Sequence, residues 1–236
     1  MTKHLRLLAI IISAVLAGTA CQPPPETRGE RFAQYREPIR AKWTTVRTVG
    51  EALMTVERFT PTQNPERPFH RSIGDGNVAF FPADHFFAHK APAVKLDIFS
   101  PLSEAIKWIG GDYYWDEDPV DDDFVQQLDR ALATPYAGFY GQADYQEARM
   151  ISENTFEGGH LTLNAAIIEI DQKSVVATCS VTATPEENIE FVSDDGKASE
   201  ELLEILTRAS MVKRAARLLA ECLSDQTGGD FYFSNT

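Results

Sequence analysis

The stretch LTLNAAIIEIDQKSVVATCSVTA, residues 161–183, contains two runs rich in aliphatic and β-branched residues, separated by the polar tetrapeptide Asp171–Ser174. Two such runs, joined by a short polar connection that begins with Asp, predict an antiparallel β-hairpin. In the second run, every other residue from Val175 to Val181 is apolar or Cys, so these residues share one face of the strand. We expect that face to point into the core.

Helical periodicity flanks the hairpin on both sides. Residues 30–59 place apolar side chains every three or four positions, which indicates one helix face, and Pro38 predicts that a short first piece precedes the longer helix. Residues 199–223 carry an apolar stripe, with acids in the first turn and bases toward the end, as the helix dipole favours. The chain therefore has a long helix near each end.

Shorter elements fill the rest of the chain. Ser100-Pro101 predicts the cap of a helix that ends at Gly110-Gly111, and a further helix follows the acidic residues near position 121. Together with the hairpin, these elements predict an α+β fold, an antiparallel sheet of about three to five strands with packed helices. The remaining strands are expected at residues 77–81, 94–99, 136–150 and 231–233, with an irregular loop over much of 60–92.

The first twenty residues have the layout of a bacterial export signal. Lys3 and Arg6 precede an apolar run over residues 7–17, and the small residues Gly18–Ala20 lead to Cys21. The apolar run is shorter than the roughly 20 residues that a membrane-spanning helix needs. We therefore expect cleavage just before Cys21.

The residues before Cys21 resemble the lipobox of bacterial lipoproteins, in which small or aliphatic residues precede a cysteine that receives diacylglycerol. Gly18 departs from that pattern, since leucine is usual there, and an ordinary secretory signal cut at the same bond is the alternative. The resemblance implies an acylated Cys21 that anchors the chain to a membrane on the periplasmic side. Gln22 is not the aspartate associated with inner-membrane retention, so the resemblance implies the outer membrane.

Three segments follow from this interpretation. Residues 1–20 are the signal peptide, residues 21–30 are the lipidated cysteine with a proline-rich tether, and residues 31–236 are a single α+β domain. The net charge of −13 argues against nucleic acids and anionic lipid surfaces as partners, because both require a basic footprint. Any membrane attachment must then come from the lipid on Cys21.

The cysteine count favours a disulfide. Acylation of Cys21 would leave Cys179 and Cys222 as an even pair in an oxidising compartment, where a disulfide persists. One lies on the core face of the hairpin and the other in the stripe of the last helix, so the two surfaces are natural packing partners. The alternative is a pair of buried reduced thiols.

Histidines supply the strongest hint of enzymatic chemistry. His85 and His89 stand four residues apart and could share a helix face, with Asp84 or His70 as a further metal ligand. The motif lacks the glutamate that zinc hydrolases place between two such histidines. A periplasmic metal-dependent hydrolase is therefore the alternative hypothesis, and we assign no metal or cofactor.

Other motifs have a structural interpretation. The acids between Asp116 and Asp123 depart from the calcium-loop pattern and fit a solvated loop that starts a helix. His160 is a candidate general base with no supporting residue in the sequence, and no nucleophile elbow is present, so we assign no catalytic residue. The aromatic residues are expected mainly in the core; they are Tyr113–Trp115, Tyr136, Phe139, Tyr140, Tyr145 and Phe231–Phe233.

A wider pattern is similar to uncharacterised exported bacterial proteins and lipoproteins. It includes residues 95–108, 158–184 and 228–233, and it implies no known activity. The leading hypothesis is therefore a non-enzymatic binding or assembly accessory whose partner is a component of the cell envelope.

Overall fold

The computed structural model describes residues 25–54, 77–82, 100–111, 116–152, 155–186 and 200–233. They form an α+β fold with a long helix near each end and a four-stranded sheet, as predicted. The elements in chain order are α1 (Arg28–Met54), β1 (Val78–Pro82), α2 (Pro101–Lys107), a 3-10 turn (Trp108–Gly110), α3 (Asp122–Ala133), β2 (Tyr136–Gln146), β3 (Arg149–Ser152), β4 (Thr155–Glu157), β5 (His160–Glu169), β6 (Ser174–Ala183) and α4 (Glu200–Thr227).

The main sheet has the strand order β1-β2-β5-β6, and β3 pairs with β4 in a separate ribbon. The predicted hairpin is confirmed: β5 and β6 are antiparallel, with Ala165 opposite Cys179 and with Lys173 at a φ of 53° in the connection. β2 is antiparallel to β5, whereas β1 is parallel to β2. The sheet is therefore mixed rather than wholly antiparallel, because α2 and α3 separate β1 from β2 in sequence and supply the crossover that a parallel pair needs.

Helices pack on both faces of the sheet. α4 covers one face, where alternate residues of β5 and β6, including Leu163 and Cys179, meet Met211 and Leu219. α1, α2 and α3 pack on the opposite face, over β1, the start of β2 and the end of β5. Each face thus has its own apolar core, and the sheet is the middle of three layers.

Two glycines allow close packing of aromatic rings. The ring of Phe80 in β1 lies over Gly138 of β2, where any Cβ atom would overlap it. A Cβ atom on Gly50 of α1 would lie 2.6 Å from the ring of Phe139. Glycine at these positions lets a strand and a helix approach those rings more closely than alanine would.

Helix α1 differs from the prediction at Pro38. The structure shows one continuous helix with Pro38 inside it, instead of a short piece followed by a longer helix. Proline removes one backbone donor and disfavours a helix interior. Phe32 and Ile39, on either side of it, are both buried in the same core, so tertiary packing holds the two parts in one helix.

The carboxyl-terminal region differs in two details. α4 continues to Thr227, four residues past the predicted end, before Gly228 at a φ of 69° terminates it. Residues 231–233 do not form the predicted edge strand. Phe231 and Phe233 instead pack against Phe80 with their rings near perpendicular, so these aromatic residues close the core over β1.

The predicted strand over residues 136–150 is also divided. β2 ends at Gln146, and β3 begins at Arg149 and pairs with β4 instead of β5. The predicted strand at residues 94–99 lies outside the described residues.

Candidate functional site

One part of the sheet carries polar side chains on the face that elsewhere meets α1–α3. The antiparallel register continues this face from the buried Phe139 and Ala166 to polar residues near the far ends of β2, β5 and β6. We call this set the polar sheet face; its members are Asp144, His160, Thr162, Asn164, Ser180 and Thr182. Antiparallel sheets often expose one face to water, and the alternation with buried residues such as Leu161 and Leu163 is typical of that arrangement.

A carboxylate and an imidazole pair at the end of this face, where β5 begins. His160 Nε2 lies 2.7 Å from Asp144 Oδ2, across the β2–β5 pair. A β-bulge between Gln142 and Asp144 inserts Ala143 and sets the position of Asp144 opposite Thr162. The contact thus depends on both the strand register and the bulge.

The pair has an electrostatic consequence for Asp144. The hydrogen bond with His160, followed by the hydrogen bond that the backbone N–H of Tyr145 donates to Oδ1, lowers the pKa of Asp144 below its ordinary value. The Asp144 side chain is 65% exposed and that of His160 is 30% exposed. Such an exposed pair contributes little to stability and keeps its hydrogen-bonding capacity for solvent or a partner.

Hydroxyl groups extend the polar sheet face across β5 and β6. Thr162 Oγ1 and Thr182 Oγ1 are 2.9 Å apart, a cross-strand hydrogen bond in which either hydroxyl donates. Asn164 lies on the same face, and its side-chain oxygen is shielded from solvent without a hydrogen-bond partner. A shielded acceptor of this kind is costly unless a donor reaches it.

The structure adds a residue that the sequence did not reveal. His160 is the predicted candidate for a general base, and Asp144 can orient its ring. In the described ranges, however, no hydroxyl or thiol hydrogen-bonds to His160, so the pair has no nucleophile beside it. Among the described residues the pair offers a hydrogen-bonding carboxylate and imidazole on the sheet surface.

The acidic stretch near position 120 has a structural role. Asp121 caps α3 by accepting a hydrogen bond from the backbone N–H of Phe124 at 2.7 Å, and it forms an ion pair with Arg28. These two interactions, in that order, lower the pKa of Asp121. Asp118 also lies 3.8 Å from Arg28.

In the part of the chain that the structure describes, no group of three or more acidic, His or Cys residues is arranged to hold a metal ion.

The same region fastens the start of α1. Arg28 N–H donates to the carbonyl of Asp118, and Gly29 N–H donates to that of Asp116. Val120 N–H donates back to the carbonyl of Glu26. We call these contacts the amino-terminal clasp. Glu26, Arg28 and Gly29 of the clasp, and the start of α1 at Arg28, fall within residues 21–30, where the sequence predicted a tether.

The predicted aromatic residues divide between core and surface. Tyr136, Phe139 and Tyr140 are buried within the two cores, as expected. Tyr145 is half-buried, and the guanidinium of Arg208 lies 5.5 Å from its ring centre.

The predicted disulfide pair lies on the side of β6 opposite the polar sheet face. Cys179 and Cys222 are joined, with their Cα atoms 6.1 Å apart. The other predicted site residues lie outside the described part of the chain; they are Cys21, His70, Asp84, His85, His89 and the aromatic residues Tyr113–Trp115.

Comparisons with protein-family models, with curated proteins and with solved structures find no match to this chain. None of the described helices is both long enough and apolar enough to cross a bilayer.

Proposed function

We propose that this chain is a bacterial envelope lipoprotein, anchored through an acylated Cys21 on the periplasmic side of the outer membrane, that acts as a non-enzymatic binding or assembly accessory. The polar sheet face is the surface through which it engages an envelope partner. The observation that carries this assignment is the exposed row of hydrogen-bonding groups, with Asp144 paired to His160 and Thr162 paired to Thr182.

The chemistry of the face supports binding over catalysis. It offers carboxylate, imidazole, hydroxyl and amide groups on three adjacent strands, which lie about 4.8 Å apart in a sheet. A partner with donors and acceptors at strand spacing would match the exposed carboxylate, imidazole and hydroxyl groups of this face.

The proposed location in the cell envelope is based on the amino-terminal sequence. The basic, apolar and small residues before Cys21 fit an export signal, and the disulfide between Cys179 and Cys222 fits an oxidising compartment. The net charge of −13 disfavours direct adsorption to anionic lipid, which leaves the acyl chains as the means of attachment.

Mass spectrometry of the mature chain tests the anchor. We expect the amino-terminal peptide to carry diacylglycerol on Cys21 and the protein to fractionate with outer membranes. Cys21→Ser should give an unmodified chain that leaves the membrane fraction. An unmodified Cys21 on a chain that is released into the medium would contradict the lipid anchor. That result would not bear on the polar sheet face, which the next experiment tests.

Capture of an envelope partner by the membrane-tethered chain tests the face. Thr162→Val with Thr182→Val removes both hydroxyls while keeping residues that favour strands. We expect these changes to reduce recovery of the partner severalfold. Thr44→Val on α1, where the hydroxyl bonds only to the carbonyl of Arg40, is the matched control. Equal recovery with both variants would contradict the assignment of the face.

A further inference from the structure

Strand β6 is an edge of the main sheet. One side of β6 pairs with β5, and the backbone groups of every second residue point away from that partner. Thr178 is one such residue, and Ser180 and Thr182 follow at the same spacing. In the residues that the structure describes, no further strand pairs with this side of β6.

The side chain of Gln226 caps this edge at Thr178. The backbone N–H of Thr178 donates to Gln226 Oε1 at 3.0 Å, and Gln226 Nε2 donates to the carbonyl of Thr178 at 2.5 Å. The primary amide uses one of its N–H donors and its oxygen acceptor, and it thus makes the two bonds that a neighbouring strand would make. Gln226 replaces a fifth strand at one position.

The disulfide lies directly beside this contact. Cys179 follows Thr178 in β6, and Cys222 lies one helical turn before Gln226 in α4. Gln226 Nε2 is 3.8 Å from the sulfur of Cys222. The covalent link therefore fixes the last turns of α4 against β6 at the level where the amide must reach Thr178.

The part of the β6 edge that Gln226 does not cap is suited to pairing with the β6 edge of a second copy of the chain. The β6 sequence SVVATCSVTA has no charged residue, in a chain with a net charge of −13. Two chains of this net charge repel each other at long range, whereas two antiparallel β6 edges place Ser180 opposite Thr182 without like charges at the contact. The same pairing is self-complementary about a two-fold axis.

We propose that Gln226, positioned by the Cys179–Cys222 bond, is an edge cap that prevents two copies of this chain from joining through β6. The occupant excluded by the cap is the antiparallel β6 of a second copy. Removing the amide frees the backbone of Thr178 and so extends the open edge from Ser180 and Thr182 to three outward-facing residues. The role is one of positioning and protection, and it concerns the outward backbone groups of β6, whereas the polar sheet face uses the side chains of Ser180 and Thr182.

The test uses the mature chain with Cys21→Ser in every sample, so that no acyl group drives association. Sedimentation equilibrium over a concentration series compares Gln226→Ala with Gln127→Ala, an exposed glutamine on α3 that serves as the matched control. We expect the Gln226 variant to dimerise at least about tenfold more strongly, since two competing backbone hydrogen bonds are freed. Circular dichroism verifies that both variants fold.

Two further variants identify the interface and the role of the disulfide. Adding Ser180→Lys to Gln226→Ala should restore the monomer, because two lysines then flank the same edge. Replacing both Cys179 and Cys222 with Ala should raise self-association, as Gln226→Ala does, because the amide is then no longer held beside Thr178.

A Gln226→Ala chain as monomeric as the Gln127→Ala control would overturn the edge cap. Association that persists with Ser180→Lys would overturn the β6 interface, and unchanged association in the cysteine variant would overturn the positioning by the disulfide.

Discussion

Cys179 in β6 and Cys222 in α4 are bonded across the interface between the sheet and its covering helix, 43 residues apart in the chain. The bond joins the predicted hairpin to the last helix and crosses the core that both elements build. Its loop is long enough for the link to restrict the unfolded chain substantially.

Loss of this bond should lower stability. Replacing Cys179 and Cys222 with Ala together is expected to reduce the free energy of unfolding by about 2–4 kcal/mol, mainly by releasing the unfolded chain. Urea denaturation of the oxidised parent and the double variant measures the difference. The reduced parent should match the variant, and equal midpoints for all three samples would show that the bond contributes nothing.

Gly138 should not tolerate a side chain. A methyl group there overlaps the ring of Phe80, so Gly138→Ala is expected to destabilise the protein by about 1–3 kcal/mol through overpacking. Gly110→Ala is the matched control, because a Cβ atom at that position meets nothing within 4 Å. Thermal unfolding of both variants gives the comparison, and equal losses of stability would contradict the close contact.

Asp121 should contribute to the acid sensitivity of the fold. Its pKa is lowered in the folded state by the Phe124 N–H and by Arg28, so the folded chain binds fewer protons there than the unfolded chain. The stabilisation is therefore present above the ordinary aspartate value of 3.8 and is lost as the pH falls through the lower folded value.

Denaturant titrations from neutral pH into this acidic range test that sign. Asp121→Asn keeps a capping side chain but removes the titrating charge, so stability should fall less steeply with acid than in the parent. Asp122→Asn, at the adjacent exposed position, serves as control. A parallel fall in all three proteins would contradict the assignment.

His160 should matter for binding and hardly at all for folding. Because the Asp144–His160 pair is exposed, His160→Ala is expected to leave the unfolding temperature nearly unchanged. If the polar sheet face is the binding surface, the same change should weaken partner recovery severalfold. Arg40→Ala, which removes an exposed ion pair with Glu37 on α1, is the control for loss of a surface charge pair. A clearly lower unfolding temperature for His160→Ala would contradict the first half of this prediction. Recovery of the partner equal to that of the parent would contradict the second half.

Local patterns were sufficient for the elements whose partners are near in sequence. The β5–β6 hairpin follows from alternating residues and a short polar turn, and the cap of α2 follows from Ser100-Pro101. The pairing of Cys179 with Cys222 could be proposed because a strand face and a helix stripe each contained one cysteine. Each of these inferences needs only residue spacing and composition.

Features that depend on distant contacts were not predictable in the same way. The parallel pairing of β1 with β2 joins segments separated by two helices. The sequence of Val78–Pro82 does not indicate whether this strand pairs in a parallel or an antiparallel direction. Asp144 meets His160 only because Ala143 bulges out of register. The continuous α1 results from burial on both sides of Pro38, where tertiary packing outweighs the local preference.

The amino-terminal clasp determines where mechanical load enters the domain. A pull on the chain ahead of Glu26 acts first on the hydrogen bond from Val120 to Glu26, and then on those from Arg28 to Asp118 and from Gly29 to Asp116. These bonds tie the start of α1 to the segment that leads into α3, so the tension is shared by two helices before it reaches the sheet. A force applied at this end should therefore break the hydrogen bonds of the clasp before it disturbs α4, the disulfide-bonded helix on the other face of the sheet.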